Sequence, residues 1–354
     1  MDNPIERLQK YIKYSSLDGF IITDIKNVYY LSKFTGSSGF IFLTQQRAFF
    51  FTDFRYKEQA YREVTDFEII IENGKRISRL DKLIKELGIK KLGFESSAPY
   101  EFYEELKKIA PEVVPQYGIV ENIRKIKSEE EILKIREAIK RAEDAFLMIK
   151  PIIRPNKTEK EIALKMEIAL KRLGCKSIPF DIIIASGKNA ALPHARPTDK
   201  KIEKGDFVII DWGGEADGYF SDMTRTLLME GRDLSKKIEI YNIVNNAREK
   251  AIESIKIGLN TKKVDKIARD EIRKAGYGNF FGHGTGHGIG VDVHELPSLS
   301  RLKGEKILKN MVFTIEPGIY IPELGGVRIE DMVLAGDKGG IVLTSLSRNL
   351  EIIK

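Results

Sequence analysis

Over roughly the first 120 residues the apolar positions switch between two periods. Short runs such as Gly19-Phe20-Ile21-Ile22, Gly39-Phe40-Ile41-Phe42-Leu43 and Arg47-Ala48-Phe49-Phe50-Phe51 have strand length and strand composition, and Phe67-Glu68-Ile69-Ile70-Ile71 and Lys91-Leu92-Gly93-Phe94 add two more. Gln45-Gln46, between the second and third runs, marks a hairpin turn. Residues 7–17, 80–87 and 99–108 carry apolar positions at helical spacing instead. Helices interleaved with strands predict a smaller α/β domain with a mixed sheet. Its most polar piece, Thr52-Asp53-Phe54-Arg55-Tyr56, reads as a helix N-cap with a local ion pair. No phosphate loop and no cluster of titratable residues occurs there.

Residues 115–127 read as a boundary, giving domains at 1–122 and 123–354. Ser128 with Glu131 three residues later matches a capping box, and Ile132, Ile135, Ile139 and Ala142 continue at helical spacing. The second domain then repeats itself. Residues 158–174 form a helix pattern through Ile162, Met166, Ala169 and Leu170, and residues 261–276 form its counterpart through Val264, Ile267, Ala268 and Ile272. Lys204-Gly205-Asp206-Phe207-Val208-Ile209-Ile210-Asp211 resembles Lys309-Asn310-Met311-Val312-Phe313-Thr314-Ile315-Glu316, at an offset of about 105 residues. A second acidic residue follows in each half, Asp222 in one and Glu330 in the other. Each half therefore reads as two helices and a hairpin whose strands carry one carboxylate apiece.

Composition narrows the chemistry. A chain of 354 residues exceeds the usual size of one domain. One cysteine, Cys175, excludes an internal disulfide framework and a thiolate zinc site. With no apolar run of membrane-spanning length and no secretory pattern at Met1-Asp2-Asn3-Pro4, a cytoplasmic protein is expected. The net charge of +7 comes from Lys and Arg interleaved with Glu, as on solvated helix faces, so no nucleic-acid partner and no membrane partner is expected. Of only four histidines, three lie in residues 281–294 among glycines, and the fourth is His194. Imidazole concentrated in a glycine-shaped loop points to metal ligation or proton transfer. Gly284 follows His283, so the helical zinc-protease motif is absent, and residues 284–290 lack the strand–loop–helix setting of a dinucleotide site.

Asp211 and Glu316 end apolar strands, and Asp222 and Glu330 flank others. Carboxylates in such places cost much desolvation unless they are paired or bound to metal. Four brought together would repel one another, and two divalent cations, held about 3.5 Å apart in two-metal sites, resolve the conflict. One imidazole and four carboxylates suit Mn, Co, Fe or Zn. Strand alternation places Arg328 with Glu330 and Thr224 with Asp222 as supporting residues.

These residues resemble the pita-bread metallopeptidase family, which includes methionine aminopeptidase, aminopeptidase P and prolidase. The resemblance covers about residues 123–354, and residues 1–122 are similar to the N-terminal domain of the proline-specific branch. It implies an α+β fold, with a C-terminal pita-bread domain of pseudo-two-fold internal repeat. It implies metal ligation by Asp211, Asp222, His287, Glu316 and Glu330, with Asp222 and Glu330 bridging. His194, His283 and His294 match the branch's histidines and Arg328 its site arginine. On chemical grounds Glu316 is expected to shuttle the proton from the nucleophile to the leaving nitrogen while remaining a ligand. The implied activity is two-metal hydrolysis of the bond preceding proline, on small peptides with proline at the second position, by a homodimer. A metal-free relative, such as a creatinase-like enzyme or a protein-binding module, would have lost ligands, and here all five are present.

Overall fold

The computed structural model describes residues 3–72 and 77–354. The chain divides into two compact units, Met1–Arg124 and Lys125–Lys354.

In the first unit the elements run α1 (Pro4–Tyr14), β1 (Gly19–Ile22), α2 (Ile25–Ser32), β2 (Phe40–Thr44), β3 (Ala48–Asp53), α3 (Lys57–Glu63), β4 (Glu68–Glu72), α4 (Ser78–Glu86), β5 (Lys91–Glu95), α5 (Tyr100–Ile109), β6 (Glu112–Gln116) and α6 (Ile119–Arg124). The strands form one sheet in the order β4-β3-β2-β1-β5-β6. β1–β2 and β2–β3 pair antiparallel and the other pairs are parallel, so the sheet is mixed. Phe40, Phe42, Phe49 and Phe51 alternate onto one face and pack against Leu80, Ile84, Phe102 and Leu106 of α4 and α5. Asp53 caps the turn that follows β3, its Oδ1 accepting from the Arg55 amide at 2.9 Å, and its carboxylate pairs with the Arg55 guanidinium at 2.8 Å. Helix α1 starts earlier than the apolar spacing indicates, because Asn3 caps it and Pro4 opens it. Pro115, read from sequence as the start of the boundary, lies inside β6. An edge strand tolerates the missing N–H. Glu95, at the end of β5, accepts from the amides of Thr23 (2.7 Å) and Asp24 (2.8 Å) and from Asn27 Nδ2 (2.6 Å).

The second unit contains two similar halves. The first runs α7 (Glu129–Ile149), α8 (Glu159–Arg172), β7 (Ile183–Ser186), β8 (Phe207–Trp212), β9 (Glu215–Ala216), β10 (Tyr219–Phe220) and β11 (Met223–Met229). The second runs α9 (Ser235–Glu253), α10 (Thr261–Lys274), β12 (Gly286–Gly288), β13 (Glu295–Leu299), β14 (Val312–Ile315), β15 (Gly318–Ile321), β16 (Gly325–Arg328), β17 (Asp331–Gly336) and β18 (Gly339–Val342), with a short β19 (Ile352–Ile353) at the end. The halves supply sheets of order β19-β11-β8-β7 and β13-β12-β14-β17-β18. The capping box at Ser128 and Glu131 is formed, and Thr158 and Glu161 form a second one at α8. Helices α8 and α10 are each 14 residues long and hold corresponding places in the two halves.

Two features fix the central strands. Trp212, the single tryptophan, is fully buried, stacks on Phe146 at 4.8 Å and donates Nε1–H to the Ala142 carbonyl at 2.8 Å. Asp331 is also fully buried. It accepts from Arg225 (2.9 Å), Arg248 (2.7 Å), Arg348 (3.1 Å) and Thr344 Oγ1 (2.7 Å). Burial alone would raise the Asp331 pKa, but the three guanidiniums outweigh it and hold the carboxyl at about 2.

Candidate metal centre

The strand register delivers the carboxylates. In the β8–β11 ladder Asp211 faces Thr224 and Trp212 faces Met223. Successive residues point to opposite faces, so the strand that buries Trp212 against α7 turns Asp211 the other way. In the second half the ladder closes with Ile315 opposite Asp331, and Glu316 and Glu330 adjoin that last pair. His287 sits in β12, held between β13 and β14. A Cβ on Gly286 would lie 1.9 Å from the Thr314 carbonyl oxygen, and one on Gly288 2.0 Å from that of Leu296. Only glycine lets β12 come so close on both sides of the histidine. Asp211, Asp222, His287, Glu316 and Glu330 line one cavity of about 540 Å3, together with His194, His283, His294 and Arg328. Phe180, Ile183, Pro193 and Ala195 add an apolar wall.

Ligating atoms of Asp222, His287 and Glu330 lie within 4.8 Å of one another. His287 Nε2 is 3.5 Å from Asp222 Oδ2 and 3.8 Å from Glu316 Oε1. These separations are long for hydrogen bonds, and they suit donors each about 2.1 Å from a shared cation. The other imidazole nitrogen, Nδ1, is 3.1 Å from the Gly288 carbonyl, which can only accept, so Nδ1 carries the proton and Nε2 keeps its lone pair. Asp211 Oδ1, Asp222 Oδ1 and Glu330 Oε1 are buried and receive no hydrogen bond from the described residues. Buried acceptors are rarely left so, and three around one cavity form a donor set for hard or borderline divalent cations.

Titration behaviour agrees with this. Burial, and then the charge of Glu330, Asp211 and Glu316, pushes Asp222 well above the carboxylate range. Glu330 is raised likewise by burial and by Glu316 and Asp211, and burial lifts Glu316 to about 8. His287 is lowered to about 4 by burial and then by His294, which leaves it neutral, the form that ligates.

Arg328 ties this cluster to the histidine loop. It donates to Asp211 Oδ2 (2.5 Å), to Thr224 Oγ1 (3.1 Å), to the Pro193 carbonyl (3.1 Å) and to the Tyr320 hydroxyl (2.7 Å). Thr224 in turn donates to Glu330 Oε2 at 2.9 Å. The arginine can only donate, so Tyr320 accepts from it and gives its own proton to His283 Nε2, 2.8 Å away. His283 Nδ1 then donates to the Gly284 carbonyl at 2.7 Å. Both nitrogens of His283 are engaged, and burial followed by the charge of Arg328 lowers its pKa to about 4. His194 and His294 are exposed on the cavity wall, and the His294 ring stands edge-on to His287 at 4.4 Å. Sequence reasoning missed Tyr320. Its signal was position, two strand steps after Gly318 in a hairpin that begins just beyond Glu316.

Comparison with known proteins gives the same picture for the whole chain. Residues 133–337 match the model of metallopeptidase family M24, and residues 4–126 match the creatinase/prolidase N-terminal domain. An Xaa-Pro dipeptidase of Pyrococcus horikoshii is 40% identical over 353 residues, 99% of each chain. A solved Xaa-Pro dipeptidase from Bacillus anthracis superposes with a TM-score of 0.96 at 41% identity, covering 99% of each chain. The X-Pro aminopeptidase structure from Thermotoga maritima gives 0.90 at 36% identity, again covering 99% of each. With its pita-bread catalytic unit and its N-terminal domain, the chain belongs to metallopeptidase family M24, in the prolidase and aminopeptidase P branch.

Proposed function

We propose that this protein hydrolyses the peptide bond preceding proline in small peptides, releasing the N-terminal residue, with two divalent cations held by Asp211, Asp222, His287, Glu316 and Glu330. The observation that carries the reading is the trio of buried oxygens with no hydrogen-bond partner among the described residues, on Asp211, Asp222 and Glu330, which line one cavity with His287 and Glu316. The proline preference draws on the names of the relatives, and the apolar wall of Phe180, Ile183, Pro193 and Ala195 suits a ring that offers no N–H. A cytoplasmic homodimer is part of the proposal, and light scattering on the eluted protein tests the dimer.

Divalent cations bound there would neutralise the carboxylates and acidify a water molecule at near-neutral pH. The chain's own residues do the rest. Glu316 would take a proton from the attacking water and return it to the leaving proline nitrogen. His194 and His294, on the cavity wall, would donate to the carbonyl oxygen as charge develops on it. Arg328 holds Asp211 by a buried ion pair and, through Thr224, steadies Glu330. His283, with both nitrogens engaged, orients Tyr320 rather than transferring protons.

The test is steady-state hydrolysis of Xaa-Pro, Xaa-Pro-Yaa and Xaa-Ala peptides by protein reconstituted with Mn, Co, Fe or Zn. Cleavage before proline at least tenfold faster than before alanine is expected. Equal rates, or activity untouched by chelation, would reject the proposal. The Xaa-Pro to Xaa-Pro-Yaa ratio separates dipeptidase from aminopeptidase.

A further inference from the structure

The second helix of each half buries a carboxylate outside the candidate metal cluster. Glu159 opens α8 and Asp265 lies in the second turn of α10, and both are fully buried. Neither lines the cavity of the candidate site.

Glu159 spends its acceptors on the two ends of one loop. Oε1 receives the Ser186 amide (2.7 Å) and hydroxyl (2.8 Å), and Oε2 receives the Thr198 amide (3.0 Å) and hydroxyl (2.7 Å). Asn189 Nδ2 reaches both oxygens at 3.1 Å. The loop pinned in this way, residues 187–197, carries His194 and its neighbours on the cavity wall.

Asp265 does the same for the other half. Oδ1 receives the Thr285 amide (3.1 Å) and hydroxyl (2.8 Å), and the carboxylate pairs with Arg269 at 2.8 Å. Arg269 then donates to the carbonyl of Phe281 at 3.0 Å and to that of His283, and lies over the Phe281 ring at 4.2 Å. Residues 281–285 are thus fixed immediately before His287.

We propose that Glu159 and Asp265 are positioning residues with divided duties. Glu159 sets the substrate-facing loop of His194, and Asp265, with Arg269, sets the metal-facing segment of His283 and His287. This division rests on the roles proposed above for His194 and His287. Generic destabilisation would loosen both loops together, whereas two clamps predict a double dissociation.

The experiment compares wild type with Glu159→Gln and Asp265→Asn. Ser186→Ala and Thr285→Val serve as milder partners that remove one hydroxyl each if a carboxylate variant fails to fold. Amide hydrogen exchange by mass spectrometry, calorimetric titration of the metal-free protein with manganese, and kcat and KM on an Xaa-Pro peptide are the readouts. Removing a group that orients a metal ligand typically weakens affinity about 10- to 100-fold. Asp265→Asn is therefore expected to speed exchange in residues 281–288 and weaken manganese binding about tenfold or more, with kcat largely recovered at saturating metal. Glu159→Gln is expected to speed exchange in residues 187–198, keep manganese affinity within about twofold, and lower kcat/KM about tenfold. Exchange that rises in both loops in both variants, or in neither, would overturn the proposal, as would manganese affinity falling equally in the two. Wild-type protein that binds no manganese and cleaves no Xaa-Pro peptide would refute the functional reading instead, while the exchange pattern still judges the clamps.

Discussion

Replacing Asp331 with asparagine is the most demanding test of the reasoning about the second unit. The residue has no exposed surface and accepts from three guanidiniums and a hydroxyl. Its folded pKa of about 2, against an ordinary 3.8, is worth roughly 2–3 kcal/mol. Asparagine keeps the shape but removes the charge, and its amide hydrogens would point at arginine donors. Breaking a buried ion pair from one side costs roughly 3–5 kcal/mol, and that range is the expected loss at pH 7. The sign with pH follows from a depressed carboxyl. The stabilisation from the charge is complete above about pH 4 and is lost as pH falls towards 2, so the gap between variant and wild type should narrow by roughly 2–3 kcal/mol over that window. Trp212 is the single tryptophan and is buried in the second unit, so its fluorescence during urea unfolding reports that unit alone. A loss under about 1 kcal/mol at pH 7, or one unchanged down to pH 2, would refute the argument.

Asp222→Asn and Glu330→Gln are each expected to lose at least one of two bound cations and nearly all activity, checked by elemental analysis of the purified variants; near wild-type activity in either would reject the bridging assignment. His287→Ala should lose metal and regain part of its activity at high metal concentration. His294→Ala should keep both ions and lose roughly 10²-fold in turnover; the opposite pattern would exchange the two roles. In the first unit, burial lifts Glu95 from 4.5 to about 7. A raised carboxyl stabilises most below its unfolded pKa and loses that contribution as pH rises through its folded one. Melting of the first unit should weaken by about 3 kcal/mol between pH 4 and 8, and Glu95→Gln should flatten the trend, as followed by hydrogen exchange at β1 and β5.

Much of this architecture could be read from the residues, for physical reasons that differ by element. The five strand runs of the first unit stand out because Phe and Ile recur in blocks bounded by turns, whereas α2 and α3 do not, being only 8 and 7 residues long. Strand β6 escaped because Pro115 argues against a strand until its edge position is known. The acidic positions at strand ends were legible from the repeat. Tyr320, Arg269 and the two buried carboxylates were not, because their roles depend on atoms far away in sequence: Tyr320 on His283, Glu159 on Thr198, Asp265 on Thr285. Periodicity marks which face a residue occupies, but not which partner waits there.

The alternation of Asp211 and Trp212 along β8 also bears on how the chain proofreads its own assembly. A one-residue slip of β8 against β11 would swing the carboxylate to the helix side and force the indole into the cavity. The slip would also forfeit the Ala142 hydrogen bond and the stack on Phe146. The bulkiest side chain in the protein therefore acts as a key on the inert face of the strand, rejecting misaligned pairings before any cation arrives. A mispaired chain would betray itself twice, by a solvent-shifted indole emission and by failure to load metal, and the two signals should rise and fall together across a refolding preparation.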